Sequence, residues 1–260
     1  MPARGTTTRR LAAIGAVVAL IVALVATTLA FTQGDDDSAP AADAPAGQRT
    51  TDPERQRLYD QLTKATARRE GGDKLALGRH DAPVVLVEYA DYQCSYCGRF
   101  TRETQPKLIQ KYVDRGVLRI EFRNFTVFGA DSERAARASW AAAQQGRFRP
   151  FHDTLFAKLR KGDALAKDKL IDLAEESGVR DLDRFAEDME GSDAKAALKR
   201  DAEEGYRIGV QSTPSFLING RPVAGAQPTE VFEQVIDEAL AATKAGGGAE
   251  RPAGPKADGK

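Results

Sequence analysis

The sequence predicts an α/β domain whose sheet is interrupted by a long helical insertion and which follows a single N-terminal transmembrane helix. Three observations carry that prediction. Leu11 to Phe31 holds no charged residue, and at ~1.5 Å rise per residue it matches the ~30 Å hydrocarbon core of a bilayer. Two strand-like runs, Val84 to Val87 and Val117 to Phe125, flank a stretch with helical spacing, which is the strand, helix, strand order of a parallel sheet. From Ser132 to Tyr206 the apolar period switches to that of helices before strand-like runs return.

The N-terminal elements follow from charge and composition. Arg4, Arg9 and Arg10 precede the apolar run and Asp35, Asp36 and Asp37 follow it. The positive-inside rule then places residues 1–10 in the cytoplasm, the span at residues 11–31 in the cell membrane, and everything later outside. A cleaved signal peptide is the alternative, but its apolar region is usually ~7–15 residues, and the Ala-x-Ala triplets here lie well past the apolar end. The segment therefore reads as an uncleaved signal-anchor. Arg9-Arg10 is a weak match to a twin-arginine export signal. Residues 32–51 are rich in Ala, Asp, Gly and Pro and are expected to form a flexible linker, with residues 243–260 a disordered tail of the same character. Asp52-Pro53-Glu54 reads as a helix start, and Leu58, Leu62 and Ala65 continue it toward Gly71-Gly72, so residues 52–73 are expected to form a stalk helix.

Residues 74–242 carry the strong periodic signals of one compact domain. Val84 to Val87 is a nearly continuous apolar run, as in a strand covered on both faces. In the second strand Leu118, Ile120 and Phe122 alternate with Arg119, Glu121 and Arg123. Between them Cys97, Phe100, Thr104, Leu108 and Tyr112 recur at helical spacing. The helical insertion covers about residues 130–207. Ser215 to Ile218, the Asn219-Gly220 turn and Arg221 to Val223 make a hairpin. Val231, Phe232, Val235, Ile236, Ala239 and Leu240 line one side of a closing helix.

The chain has 38 Lys and Arg against 38 Asp and Glu, so no global basic field invites nucleic acid, and nucleic-acid binding is set aside. Its only cysteines are Cys94 and Cys97, and its only histidines are His80 and His152. A multi-disulfide scaffold and a four-cysteine zinc site are excluded. Cys94 is placed at a helix N-terminus, where unpaired N–H groups and the helix dipole favour the thiolate, and Cys97 one turn inside, where it is covered. A structural disulfide closing so short a ring would stabilise little. A zinc or copper site would need His80 or His152 as further ligands. A CxxC pair after a strand, before a helix and outside the membrane points to thiol–disulfide exchange.

At residues 76–240 the sequence resembles the thioredoxin-fold, DsbA-type disulfide oxidoreductases, in particular their membrane-anchored bacterial form. The resemblance rests on Asp81-Ala82-Pro83-Val84, the run Glu88-Tyr89-Ala90-Asp91-Tyr92-Gln93-Cys94-Ser95-Tyr96-Cys97, and the Phe151-His152-Asp153-Thr154-Leu155-Phe156 helix. Gly209-Val210-Gln211-Ser212-Thr213-Pro214-Ser215-Phe216, Asn219-Gly220 and Gly225-Ala226-Gln227-Pro228 complete it. It implies a thioredoxin fold with a helical insertion and a substrate loop at Ser212, Thr213 and Pro214, with Pro214 cis. It also implies a buried acid at Glu88 that relays the proton of Cys97; the alternative from the residues alone is a strand-end glutamate reaching solvent. Ser95-Tyr96 tunes the pair and departs from the Pro-His of the best-known periplasmic oxidant, which puts the redox poise in question. Ser212 stands where the family commonly has glycine. His152 and Trp140 read as packing residues.

The function expected is an extracytoplasmic thiol–disulfide oxidoreductase acting as an oxidase on exported proteins with free thiols or disulfides. The pair needs no cofactor beyond its own sulfurs and no metal. The resemblance implies a quinone-linked membrane reoxidant of the DsbB or vitamin K epoxide reductase type. A reductase or isomerase using the same residues is the alternative, and a copper metallochaperone holding the metal on Cys94 and Cys97 is the alternative from another class.

Overall fold

A computed structural model describes residues 52–247. The expected membrane span, the linker and most of the expected tail lie outside these residues. Among the described residues no helix is long and apolar enough to cross a membrane.

The described chain opens with α1 (Pro53–Thr66), capped by the Asp52 carboxylate, which accepts the Glu54 N–H. Two strands follow, β1 (Ala76–Leu77) and β2 (Val84–Ala90), then a long helix α2 over residues 95–113 and β3 (Leu118–Asn124). The helices α3 (Ala130–Gln144), α4 (Phe148–Phe156), α5 (Lys167–Glu176), α6 (Leu182–Glu190) and α7 (Ser192–Arg207) come between β3 and β4 (Ser215–Ile218). The strand β5 (Arg221–Ala224) and helix α8 (Thr229–Gly247) close the chain. The five strands lie in the order β1-β3-β2-β4-β5. Only β2 and β3 are parallel, with Glu88 opposite Phe122 and Ala90 opposite Asn124. Both central strands are buried throughout, as the apolar run of β2 requires and against the alternating charge of β3.

The four-residue spacing in α2 has a physical origin. Phe100, Thr104, Leu108 and Tyr112 are all buried, yet a regular α-helix of 3.6 residues per turn would rotate such a series by about 40° at each step. Two π segments, Phe100–Thr104 and Ile109–Val113, absorb the drift. They are marked by bonds from Gln105 N–H to the Phe100 carbonyl and from Asp114 N–H to the Ile109 carbonyl. One stripe of side chains therefore stays on the sheet for the whole helix. Phe100 packs against Phe216 and Phe232, with ring centroids 4.5 and 5.1 Å apart.

The alternating charges of β3 do not face water. Arg119, Glu121 and Arg123 are all buried on the face opposite α2. Glu121 accepts from Arg119 Nε at 2.8 Å and Arg123 Nη2 at 2.7 Å, and also from the backbone N–H groups of Arg68 and Arg69. Arg123 Nε reaches Glu204 at 3.0 Å, and Arg68 Nη2 reaches Asp201 at 2.7 Å and Glu204 at 3.0 Å. Charges taken out of water are tolerable when each is paired and hydrogen-bonded in this way.

Two expected boundaries change. The helix expected to run from Asp52 to Gly71-Gly72 stops at Thr66, because the Glu121 carboxylate captures the next N–H groups and Arg69 turns to φ 49°. Nor is it a free stalk. Leu62 and Thr66 are buried, Arg221 lies 4.9 Å over the Tyr59 ring and bonds Gln56, and a Cβ at Gly220 (φ 75°) would strike the Tyr59 carbonyl. The expected tail also starts later, since α8 continues through the helix-favouring Ala-rich residues to Gly247. Leu62→Ala is expected to lower stability by about 2 kcal/mol, the low end for a truncated buried leucine. Denaturant midpoints measure this loss.

Candidate active site

The end of β2 delivers the chain to α2 through a short turn, and that turn fixes the two cysteines. The Asp91 carbonyl accepts the Cys94 N–H at 3.0 Å, and the Cys94 carbonyl accepts Gly98 N–H at 3.1 Å. Cys94 is thus the residue immediately ahead of the helix, with extended backbone (φ −82°, ψ 117°). Cys97 lies one turn in. Cys94 keeps 5% of its surface exposed and Cys97 none, while Ser95 is exposed and Tyr96 is 60% exposed between them.

The two sulfurs have opposed electrostatics. A hydrogen bond from Cys97 brings the Cys94 thiol down to about 6 against the cost of burial, helped by Thr213 and by the backbone N–H groups of Cys97 and Tyr96. Burial pushes the Cys97 thiol well up, and the neighbouring Cys94 and Glu88 push it the same way. Both cysteines are free thiols in this structure. The loop before β4 lies against the pair: Cys94 Sγ donates to the Thr213 carbonyl at 3.2 Å. The Thr213-Pro214 bond is cis, Pro214 is buried, and Ser212 is exposed with its carbonyl accepting from Ser215 Oγ.

Glu88 does not reach solvent. It is fully buried beside the β2–β3 pairing, neither carboxylate oxygen has a hydrogen-bond partner, and burial raises it to about 8. A carboxyl there is neutral near pH 7 and holds a proton within influence of Cys97. The structure thus brings Cys94, Cys97, Ser95, Tyr96, Thr213, Pro214 and Glu88 to one end of the sheet.

His152 packs in an aromatic cage of Tyr92, Phe122, Phe148 and Phe156. Its Nδ1 lies 3.1 Å from the Tyr92 hydroxyl, which lies 2.6 Å from Ser139 Oγ, and burial brings the imidazole down to about 3. Trp140 is half-buried against the same core. Among the described residues no group of three or more His, Cys, Asp or Glu is placed to hold a metal ion.

Asp91, which the sequence motif carries without marking it as special, is a further member of the site. Its buried carboxylate accepts Gln93 N–H at 2.7 Å and Ser132 Oγ at 2.6 Å on one oxygen, and Val127 N–H at 2.7 Å and Phe128 N–H at 3.2 Å on the other. An aspartate two residues ahead of Gln93 was the available signal, since aspartate commonly bonds the backbone two residues on.

The model of the family described as thioredoxin matches residues 70–238. A probable disulfide bond formation protein D of Bacillus cereus is 30% identical over 150 residues, covering 56% of this chain and 69% of that protein. Among solved structures, oxidised BdbD from Bacillus subtilis aligns with a TM-score of 0.61 at 24% identity, covering 69% of this chain and 95% of that one. Wolbachia pipientis alpha-DsbA1 aligns with a TM-score of 0.59 at 23% identity, covering 66% and 93%. At these identities the two structures show the fold, while the family match extends over most of the described residues. The chain belongs to the thioredoxin family, among its DsbA-like thiol–disulfide oxidoreductases.

Proposed function

We propose that the protein is an extracytoplasmic oxidase that donates a Cys94–Cys97 disulfide to exported proteins, with residues 74–242 as its catalytic domain and residues 11–31 as its membrane anchor. The asymmetry of the two sulfurs carries this reading. A stabilised Cys94 thiolate favours the reduced pair, and a pair more stable when reduced is a stronger oxidant.

The reaction runs in two exchanges. A substrate thiolate attacks Cys94 of the oxidised pair, the Cys94–Cys97 bond breaks, and Cys97 leaves as a thiolate that takes the proton of Glu88. The second substrate thiolate then attacks the substrate sulfur of the mixed disulfide and expels Cys94 as a thiolate. The substrate loses two electrons and the pair gains them. The Ser212-Thr213-Pro214 loop lies beside Cys94 and is the surface against which an incoming extended chain is held. Ser95 and Tyr96 set the local field at Cys94. Renewal needs an electron acceptor, assigned here to a quinone-linked membrane protein of the DsbB or vitamin K epoxide reductase type. The anchor and the outward placement of the domain are supported by the uncharged Leu11 to Phe31 run between arginines and aspartates.

The test is the equilibrium reduction potential of the Cys94–Cys97 pair in glutathione buffers. A value well above about −200 mV is expected of a net oxidant. A value well below it would assign the pair to reduction or isomerisation instead.

A further inference from the structure

We propose that Asp91 is a positioning residue that fastens Phe128, an apolar lip for the substrate chain beside its reacting cysteine, to the turn that carries Cys94. The proposal rests on the reading of Cys94 as the exchanging sulfur. Asp91 is fully buried, and an ionised carboxylate out of water is costly unless hydrogen bonds replace its hydration. Here the replacement is complete on both oxygens: one holds the Cys94 turn and α3, through Gln93 N–H and Ser132 Oγ, and the other holds Val127 N–H and Phe128 N–H. The site also lies at the start of α3, whose N-terminal dipole favours a negative group.

The Gln93 side chain closes the ring. Its Nε2 donates to Ser132 Oγ at 2.8 Å and to the Phe128 carbonyl at 3.3 Å. The Phe128 backbone is therefore held at its N–H by Asp91 and at its carbonyl by Gln93, the immediate neighbour of Cys94. Its side chain is left 55% exposed, with Val127 41% exposed beside it. A loop residue with so firm a backbone and so bare an aromatic ring is preorganised for contact: the ordering cost is met before the partner arrives, and burying the ring supplies the gain. The chemistry fits an unfolded chain presenting an apolar side chain next to its cysteine.

The experiment compares the full-length chain with Asp91→Asn, Phe128→Ala, Ser132→Ala and the Asp91→Asn/Phe128→Ala double variant. The readout is the ratio of kcat/KM for a cysteine peptide flanked by apolar residues to the exchange rate with glutathione, which has no side chain for the lip. Asp91→Asn and Phe128→Ala are each expected to lower the ratio about tenfold through KM, and Ser132→Ala to lower it less. The double variant should be no worse than Phe128→Ala alone. A ratio unchanged in Asp91→Asn, or effects that multiply in the double variant, would overturn the proposal. Should Asp91→Asn not fold, an unchanged ratio in Ser132→Ala or Phe128→Ala decides against it equally. Absence of exchange with glutathione in the unsubstituted chain would instead remove the reading of Cys94, and the proposal with it.

Discussion

Glu88→Gln is expected to make the protein more stable and slower at once. Burial holds the Glu88 carboxyl at about 8 in the folded chain against an ordinary value of 4.5. Between those values the unfolded chain releases its proton while the folded chain keeps it. Stability is therefore fully present below pH 4.5 and is lost as pH rises toward 8, by about 1.4 kcal/mol per pH unit. At pH 7 the loss amounts to about 3 kcal/mol. Glutamine has the same shape and no proton to surrender, so the variant should gain about that much at pH 7 and nothing below pH 4.5. Exchange should slow about tenfold to a hundredfold, because Cys97 loses its proton source. Thermal melts across pH 4 to 9 and pH–rate profiles check the two halves separately. An unchanged rate profile would reduce Glu88 to a structural residue, and parallel melting curves would show that the carboxyl is not held neutral.

Cys97→Ala is expected to accumulate mixed disulfides on Cys94. Without Cys97 the variant has no disulfide to donate, so its Cys94 thiolate attacks disulfides already formed in substrates and expels one substrate sulfur as a thiolate. No Cys97 then displaces the bound substrate, and uncatalysed rearrangement takes minutes to hours. Non-reducing gels of cell extracts should show adducts that collapse on reduction, and their absence would count against the mechanism. A second effect follows from the hydrogen bond that Cys97 gives Cys94, the first contribution to its low value of about 6. Removing it should raise the Cys94 titration, read from thiolate ultraviolet absorbance, whereas Cys97→Ser should trap substrate and keep more of the shift, because its hydroxyl still donates.

The parts of the fold visible in the sequence are those whose determinants are local. The apolar run of β2, the Asn219-Gly220 turn and the Cys94-to-Cys97 spacing each announce a geometry within a few residues. The ionic face of β3 was hidden because its partners are distant: Arg68 meets Glu204 across 136 positions. Alternating charge in a strand normally marks a wet face, and only the arrival of α1 and α7 makes it an interior one. The same distance concealed the docking of α1, whose sequence resembles any exposed amphipathic helix. The π segments of α2 left a trace, a spacing of four where 3.6 is usual, which becomes legible only against the sheet it serves. Asp91 was written in the motif itself, but its role depends on Val127, Phe128 and Ser132, supplied by a loop and a helix more than thirty residues on.

The docked helix also gives the molecule a front and a back. Tyr59 sits against Gly220, at the end of the sheet where β2 begins, and Thr66 against Arg123, near where β3 ends. The β2 strand, with its ~3.3 Å rise per residue, separates those poles by about 20 Å, and α1 runs from the rear pole toward the cysteines. A chain arriving at Asp52 therefore joins the molecule at its rear. If the anchor proposed for residues 11–31 holds the protein to a bilayer, its linker attaches behind the sheet, at the pole opposite Cys94, so the tether leaves the exchanging sulfur clear of its own point of attachment.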